Sequence, residues 1–191
     1  MEEIQSLIAE LLSGDDERAQ AAVKKIAGCG PDAIPPLKVL MESPDADTRW
    51  WATWALSQVD DPEVPCMLRP MLRDPEMSVR ECAALALREN ACEKAVPELV
   101  DAMNSPDAFL SHIAAIALAA LGERATPSLI KVVEEGPHHA QLNALRALAT
   151  IGDPQSIPAL MKVLENDSVL MEYWANEGLD KIGVGMQFFQ T

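Results

Sequence analysis

The three histidines of this chain are the residues best suited to acid–base or metal chemistry, and each lacks partners for it. His138 and His139 follow a Gly-Pro pair at the start of a predicted helix, and we interpret them as exposed loop residues. Adjacent helical side chains point about 100° apart, so the two do not easily chelate one metal ion. His112 could act as a general base, but no nucleophile or acid is paired with it. The sequence therefore predicts no catalytic residues, no metal site and no cofactor.

The cysteines are the second group with reactive side chains: Cys29, Cys66, Cys82 and Cys92. They form no C-x-x-C pair, and no histidine lies at zinc-finger spacing from them. The first residues, M-E-E-I-Q, lack the basic and apolar segments of a signal peptide. We therefore expect free thiols in a reducing cytoplasm. No apolar run approaches the roughly 18 residues that suggest a membrane span.

The net charge excludes some classes of partner. With 30 acidic and 15 basic residues the chain carries a formal charge of −15. Such a surface repels nucleic acid and anionic membranes over a Debye length of about 8 Å. Solubility alone can explain the charge; the alternative is a protein partner with basic surroundings.

An internal repeat predicts the elements that position these residues. The residues that open the repeated helices are spaced by 31, 31, 31, 30 and 31 positions: Arg18, Arg49, Arg80, Ser111, Gln141 and Glu172. From the second helix onward, the third and sixth residues after this register position are small and the seventh is leucine, as in Ala52, Ala55 and Leu56. These side chains share one stripe, where small residues let a second helix approach closely.

Each repeat also contains a helix with proline in its first turn, as in A-I-P-P-L at 33–37, where the N–H has no intrahelical partner anyway. Four aspartates are placed to cap the helices that follow: Asp45, Asp47, Asp107 and Asp167.

Pro70 lies inside its helix and removes the hydrogen bond to the carbonyl of Cys66, so a kink is predicted. We expect Arg18, Arg49 and Arg80 to pair with acidic turn residues of adjacent repeats.

The repeat thus predicts an all-α fold, an α-α superhelix of about twelve helices in six antiparallel pairs. The pairs cover residues 1–30, 31–60, 61–92, 93–122, 123–152 and 153–183, within a single domain of residues 1–191. Residues 184–191 remain as a C-terminal tail. We expect Met186, Phe188 and Phe189 to fold over the open apolar face of the last pair; the alternative is docking into another subunit.

The pattern D-x-x-x-R-x-x-A-x-x-A-L, followed by A-I-P-x-L, resembles the HEAT-repeat family over residues 1–183. It is most similar to the short-repeat branch named after phycobilisome bilin lyases. The resemblance implies a solenoid in which the second helix of each pair lines the concave side. Members mostly bind other proteins; some attach or detach bilins, some hydroxylate a modified lysine with iron, and some bind damaged DNA. The iron branch carries His-Glu pairs that this sequence lacks, and the charge contradicts the DNA-binding branch, whereas bilin handling stays open.

The candidate binding residues lie on the repeated helix, away from the core stripe, where the family geometry implies a concave groove. They are Trp50, Trp54, Leu85, His112, Ile116, Leu142 and Tyr173. Val23, Trp54, Leu85 and Ile116 form an apolar row across four repeats, and such a patch often marks binding. The alternative is that neighbouring repeats lean together and bury much of this row. We assign Trp51, at the flank of the stripe, to packing between repeats.

The leading interpretation is a non-catalytic protein-binding scaffold or adaptor, in which the groove receives an apolar helix or loop and acidic residues at the rim select basic surroundings. Trp50 and Trp54 are its proposed anchors. The alternative is a small-molecule binder or lyase-related subunit, with Trp50, Trp54, His112 and Tyr173 around a planar, bilin-like ligand. A third possibility is that a second copy fills the groove and makes a homodimer.

Overall fold

Twelve α-helices and no strands make up the described part of the chain, residues 2–165 and 168–184, in a computed structural model. The helices are α1 (Glu2–Leu11), α2 (Asp16–Gly28), α3 (Ile34–Leu40), α4 (Ala46–Ser57), α5 (Val64–Met67), α6 (Met77–Glu89), α7 (Val96–Met103), α8 (Ala108–Ala120), α9 (Thr126–Glu135), α10 (His138–Ile151), α11 (Ile157–Val163) and α12 (Val169–Ile182). The prediction of an all-α chain with about twelve helices is confirmed.

The helices fall into two compact units, residues 1–90 and 91–191. In the first unit α1 packs on α2, α3 on α4, and the segment after α5 on α6, while α2, α4 and α6 contact one another in sequence. In the second unit the pairs are α7 with α8, α9 with α10, and α11 with α12; α8, α10 and α12 again form a row. One continuous domain over residues 1–191 stays a prediction. The predicted packing of Met186, Phe188 and Phe189 lies outside the described residues.

Aspartate side chains cap the N-termini of several of the repeated helices. Asp45 and Asp107 each accept a hydrogen bond from the backbone N–H three residues later, at 2.8 and 2.7 Å, so these two predicted caps are confirmed. Asp47 is not a cap, because Asp45 already occupies that position and Asp47 lies in the first turn of α4. Asp15 caps α2 in the same way at 3.0 Å, which was not predicted. The predicted cap at Asp167 lies outside the described residues.

Pro70 has a larger effect than the predicted kink. The α-helix that begins at Val64 ends at Met67, and the chain continues as a 3₁₀ helix over Arg69–Arg73. Proline has no N–H to donate to the carbonyl four residues earlier, and its ring crowds that carbonyl. The result is a break in the helix rather than a bend within a continuous one.

The stripe of small residues lies where the helices approach most closely. Ala52, Ala55 and Leu56 are fully buried. Most residues at the matching positions of the next three repeats are buried as well: Ala83, Leu87, Ala114, Ala117, Leu118, Ala144, Ala147 and Leu148. Ala86 is the exception and is half-buried. In the last repeat Gly178 takes one alanine position. A Cβ built there would lie 2.9 Å from Leu160 Cδ1 and 3.4 Å from Ala149 Cα. Helix α12 therefore approaches α10 and α11 at a distance that a larger side chain would prevent.

Gly178→Leu should lower the free energy of unfolding by about 2 kcal/mol, because the added side chain overpacks the contact with Leu160 and Ala149. Urea denaturation followed by circular dichroism measures the change. Gly28→Leu is the matched control, since Gly28 is also helical and nothing lies within 4 Å of its Cβ position. Equal effects of the two substitutions would contradict the close approach.

Candidate functional site

Arg49 fixes the turn before its own helix to the turn before the next one. Its Nε and Nη2 donate to the two carboxylate oxygens of Asp74 at 2.7 and 2.8 Å. Its Nη1 donates to the carbonyls of Ser43 and Pro44 at 3.0 and 3.1 Å. The predicted pairing of Arg49 with an acidic turn residue of the adjacent repeat is confirmed.

Asp74 also contacts Arg80, in the first half of α6. The carbonyl of Asp74 accepts from Arg80 Nη1 at 2.6 Å, and its carboxylate also accepts from the N–H of Glu76 at 2.8 Å. Burial opposes ionisation of this carboxyl, but the hydrogen bonds from Arg49 and Glu76 and the charges of Arg49 and Arg80 outweigh it, and its pKa lies below the ordinary value of 3.8. Among the described residues Arg80 donates to turn carbonyls and not to an acidic side chain.

The register residues of the first and later repeats use other partners. Arg18 pairs with Glu10 of its own helix pair at 2.8 Å, so the predicted pairing with an adjacent turn is wrong for Arg18. Ser111 Oγ donates to the carbonyl of Met103 at 2.6 Å, and Gln141 Nε2 donates to that of Val133 at 3.0 Å. Both carbonyls belong to the last turn of the preceding helix, where backbone acceptors lack partners within the helix.

A groove of about 470 Å³, here called the indole groove, lies between α4 and α6 in the first unit. It brings together three predicted site residues, Trp50, Trp54 and Leu85. The ring centroids of Trp50 and Trp54 are 5.5 Å apart with planes tilted by 56°. The rest of the lining mixes small, polar and charged side chains: Ser57, Gln58, Ser78, Glu81, Cys82, Ala86, Arg88 and Glu89.

Trp51 completes a cluster of three indoles without lining the groove. Its centroid lies 5.0 Å from that of Trp50 and 5.3 Å from that of Trp54. Trp51 packs against the core of the first unit, which confirms its assignment to packing. Trp54 packs against the same core, and Val23, the first member of the predicted row, is 2% exposed. Part of the apolar row is therefore core, as the alternative expected.

The cysteines supply no activated nucleophile to the indole groove. Cys82 is the one cysteine in its lining, and burial raises the pKa of its thiol to about 12. Cys29 and Cys82 are free thiols, whereas Cys66 and Cys92 are in the disulfide-bonded form. The prediction of four free thiols is therefore wrong for Cys66 and Cys92.

A second groove of about 480 Å³, here called the Arg146 groove, lies between α8 and α10 in the second unit. It brings together two predicted residues, His112 and Leu142. Its other lining residues are Pro106, Ala108, Phe109, Ser111, His139, Asn143 and Arg146. Sequence reasoning did not select Phe109, His139 or Arg146. The one available signal was position, because Arg146 is the fifth residue after the register residue, as are Trp54 and Leu85.

Two predicted site residues line neither groove. Ile116 is 37% exposed and Tyr173 is 52% exposed. Tyr173 packs edge-on against Trp174, with ring centroids 5.2 Å apart. His138 and His139 are exposed as predicted, but they form the first turn of α10 rather than a loop, and His139 Nε2–H donates to the carbonyl of Ser105 at 2.8 Å.

Within residues 2–165 and 168–184, no group of three or more His, Cys, Asp or Glu side chains gathers to hold a metal ion. No helix in the same part of the chain has the length and apolar character needed to cross a membrane.

A family model for HEAT repeats matches residues 4–88 and 67–140. The chain belongs to the HEAT-repeat family. A model for the PBS lyase HEAT-like repeat matches residues 140–166. The resemblance to the HEAT family and its short-repeat branch is therefore confirmed.

Among known proteins, this HEAT-repeat chain is similar to subunits of bilin lyases. It is 30% identical over 161 residues to phycocyanobilin lyase subunit alpha of Nostoc sp. (strain PCC 7120), covering 72% of this chain and 58% of that protein. It is 30% identical over 93 residues to the beta subunit from the same organism, covering 49% of this chain and 46% of the subunit. The chain thus spans about half the length of these relatives.

Solved structures support the same fold. The complex of CpcE and CpcF of phycocyanin lyase from Nostoc sp. PCC7120 matches with a TM-score of 0.56 and 26% identity, covering 76% of this chain and 63% of that chain. A designed armadillo repeat protein in complex with a (KR)4 peptide matches with a TM-score of 0.56 and 18% identity, covering 94% and 99%. The second match shows the fold alone. The predicted repeat solenoid class is confirmed.

Asp74→Asn should lower the free energy of unfolding at pH 7 by about 3 kcal/mol, since it leaves Arg49 without its buried anionic partner. Urea denaturation measures the loss. Asp60→Asn is the control, because Asp60 is exposed. A loss no larger than that of the control would show that the Arg49–Asp74 pair does not hold these turns together.

The Arg49–Asp74 pair also predicts how the stability of the chain changes at low pH. The pKa of Asp74 is lower in the folded chain than in the unfolded chain, so its contribution is fully present above the unfolded pKa of about 3.9 and is lost as the pH falls through the folded pKa. The stability difference between the wild type and Asp74→Asn should be constant from about pH 5 to 8 and narrow below about pH 4. Denaturation series at each pH test this, and a difference that stays constant in acid would contradict it.

Proposed function

We propose that this HEAT-repeat chain is a bilin-lyase-related subunit that binds a planar, bilin-like ligand and acts together with a second protein. The observation that carries the proposal is the similarity to phycocyanobilin lyase subunit alpha over 161 residues. This relationship favours the lyase-related alternative over a scaffold without a ligand. The match covers 58% of that relative, so ligand binding has to be measured on this chain itself.

The indole groove supports the proposal by its size and its lining. Its volume of about 470 Å³ lies within the roughly 300–1,000 Å³ typical of small-molecule sites. Trp50, Trp54 and Leu85 offer flat and branched apolar surfaces to a conjugated ring system, and each Trp can bury about 150–250 Å². Gln58 and Arg88 add polar contacts at the same lining.

The role of these residues is to bind and orient rather than to form a covalent bond. Two Trp rings 5.5 Å apart and tilted by 56° cannot both stack on one flat ligand, but one ring can stack on its face while the other contacts it at an angle. Packing against Trp51 and the core fixes the Trp54 ring before any ligand arrives. Such preorganisation lowers the entropy lost on binding.

Trp50→Ala combined with Trp54→Ala should weaken binding of phycocyanobilin by about 30-fold or more, since large buried aromatic contacts are worth about 2 kcal/mol or more. Visible absorbance during titration of the purified full chain measures affinity, and far-ultraviolet circular dichroism checks folding. Val39→Ala is the control, because Val39 is an exposed apolar residue of the same unit and does not line the indole groove. No binding by the wild type would overturn the proposal; equal binding by the folded double variant would remove the indole groove from it.

A second protein is proposed because one of the solved structures similar to this chain, at 26% identity, is a complex of CpcE and CpcF. In the second unit, α12 exposes three large apolar side chains, with Val169 80%, Leu170 49% and Tyr173 52% exposed. Apolar side chains grouped in this way are suited to a protein interface. A partner with basic surroundings and a homodimer are the remaining alternatives.

Affinity purification of the full chain from its native host, with mass spectrometry of bound proteins and small molecules, separates these cases. The proposal expects a second HEAT-repeat protein together with a bilin. Recovery of a basic protein and no pigment would favour the scaffold, and recovery of the chain alone as a dimer would favour self-association.

A further inference from the structure

The lining of the Arg146 groove differs in charge from the rest of the chain. The chain has 30 acidic against 15 basic residues, yet none of the nine lining residues is acidic. Arg146, His112 and His139 all line this one groove. In a protein that otherwise repels anions, this is a local site suited to negative charge.

Arg146 has a fixed position and free hydrogen-bonding capacity. Its guanidinium carbon lies 5.3 Å from the centroid of the Trp174 ring, a cation–π distance. Its buried Nε has no hydrogen-bond partner among the described residues. The Nε is enclosed, whereas the side chain as a whole is half-buried, so a ligand would bind the guanidinium through its Nη groups.

The floor of the groove is held by a buried polar chain. Asn143 Nδ2 donates to Ser111 Oγ at 2.9 Å, and Ser111 Oγ donates to the carbonyl of Met103 at 2.6 Å. Asn143 is 8% exposed and Ser111 is fully buried. The chain ties α10 to α8 and α7, so the groove exists before a ligand binds.

The apolar side chains that line the groove favour an anion that carries an apolar group. Phe109, 49% exposed, and Leu142 line the groove together with Pro106 and Ala108. An inorganic ion would leave these surfaces uncovered. The planar fork of an arginine matches the two oxygens of a carboxylate.

We propose that the Arg146 groove binds a small organic carboxylate with a flat apolar body, the carboxylate on Arg146 and the body against Phe109 and Leu142. The site depends on the second unit alone and is independent of bilin binding in the indole groove.

The test compares 1-naphthoate with 1-naphthamide, which has the same shape and no charge, by ¹H–¹⁵N NMR titration of the full chain. Naphthoate should bind about tenfold more tightly or better, because its carboxylate can form a two-pronged ion pair with the guanidinium, whereas the amide offers one uncharged oxygen. The shifted resonances should include those of Phe109, Arg146 and the Trp174 indole N–H. Arg146→Gln should abolish the preference, and Arg146→Lys should retain part of it.

Arg124→Gln is the matched control, since Arg124 lies in the same unit, is 68% exposed and pairs with Glu93 at 3.6 Å. It should leave the preference for naphthoate unchanged. Equal affinities of the two compounds for the wild type, shifts confined to other surfaces, or an equal loss in Arg124→Gln would each overturn the proposal. Retention of the preference in folded Arg146→Gln would do so as well.

Discussion

The first unit depends on the buried ion pair between Arg49 and Asp74. A helical repeat brings helix ends into turns where carbonyls and carboxylates are crowded and partly shielded from water. Arg49 satisfies both oxygens of Asp74 and two turn carbonyls, and Asp74 in turn accepts from Arg80 and Glu76. Neither charge remains without a partner, so the cost of burying them is offset. The turns fix the start of α4 and α6, and those helices carry the indole groove.

The fourth and fifth repeats satisfy their turn carbonyls without a charged register residue. Ser111 and Gln141 stand at the register position and donate to carbonyls in the last turn of the preceding helix. A hydroxyl or an amide therefore replaces the guanidinium, and the acidic partner is no longer needed. This replacement explains why the register persists while the residue type changes.

The architecture could be predicted because every repeat needs small residues where its helices meet and a capped helix start. The residues that meet these needs recur about every 31 positions. Small residues at Ala52 and Ala55 and caps at Asp45 and Asp107 follow from local chemistry that any single repeat displays. The break at Pro70 was underestimated, because sequence shows the missing N–H but not whether neighbouring contacts keep the helix continuous. The mistaken cap at Asp47 lies two residues from the correct one at Asp45, and helix boundaries are uncertain by about that much.

The binding residues were predictable only in part, because the repeat leaves the relevant positions unconstrained. The fifth residue after the register position is Trp54 in one repeat, Leu85 in the next and Arg146 in a later one. An aromatic residue at such a position stands out in a sequence, whereas an arginine looks like an ordinary exposed residue. Its significance comes from the Trp174 ring, the unpartnered Nε and the absence of carboxylates from the groove lining. The fold thus supplies similar grooves, and the residue at this one position decides whether a groove suits an apolar surface or an anion.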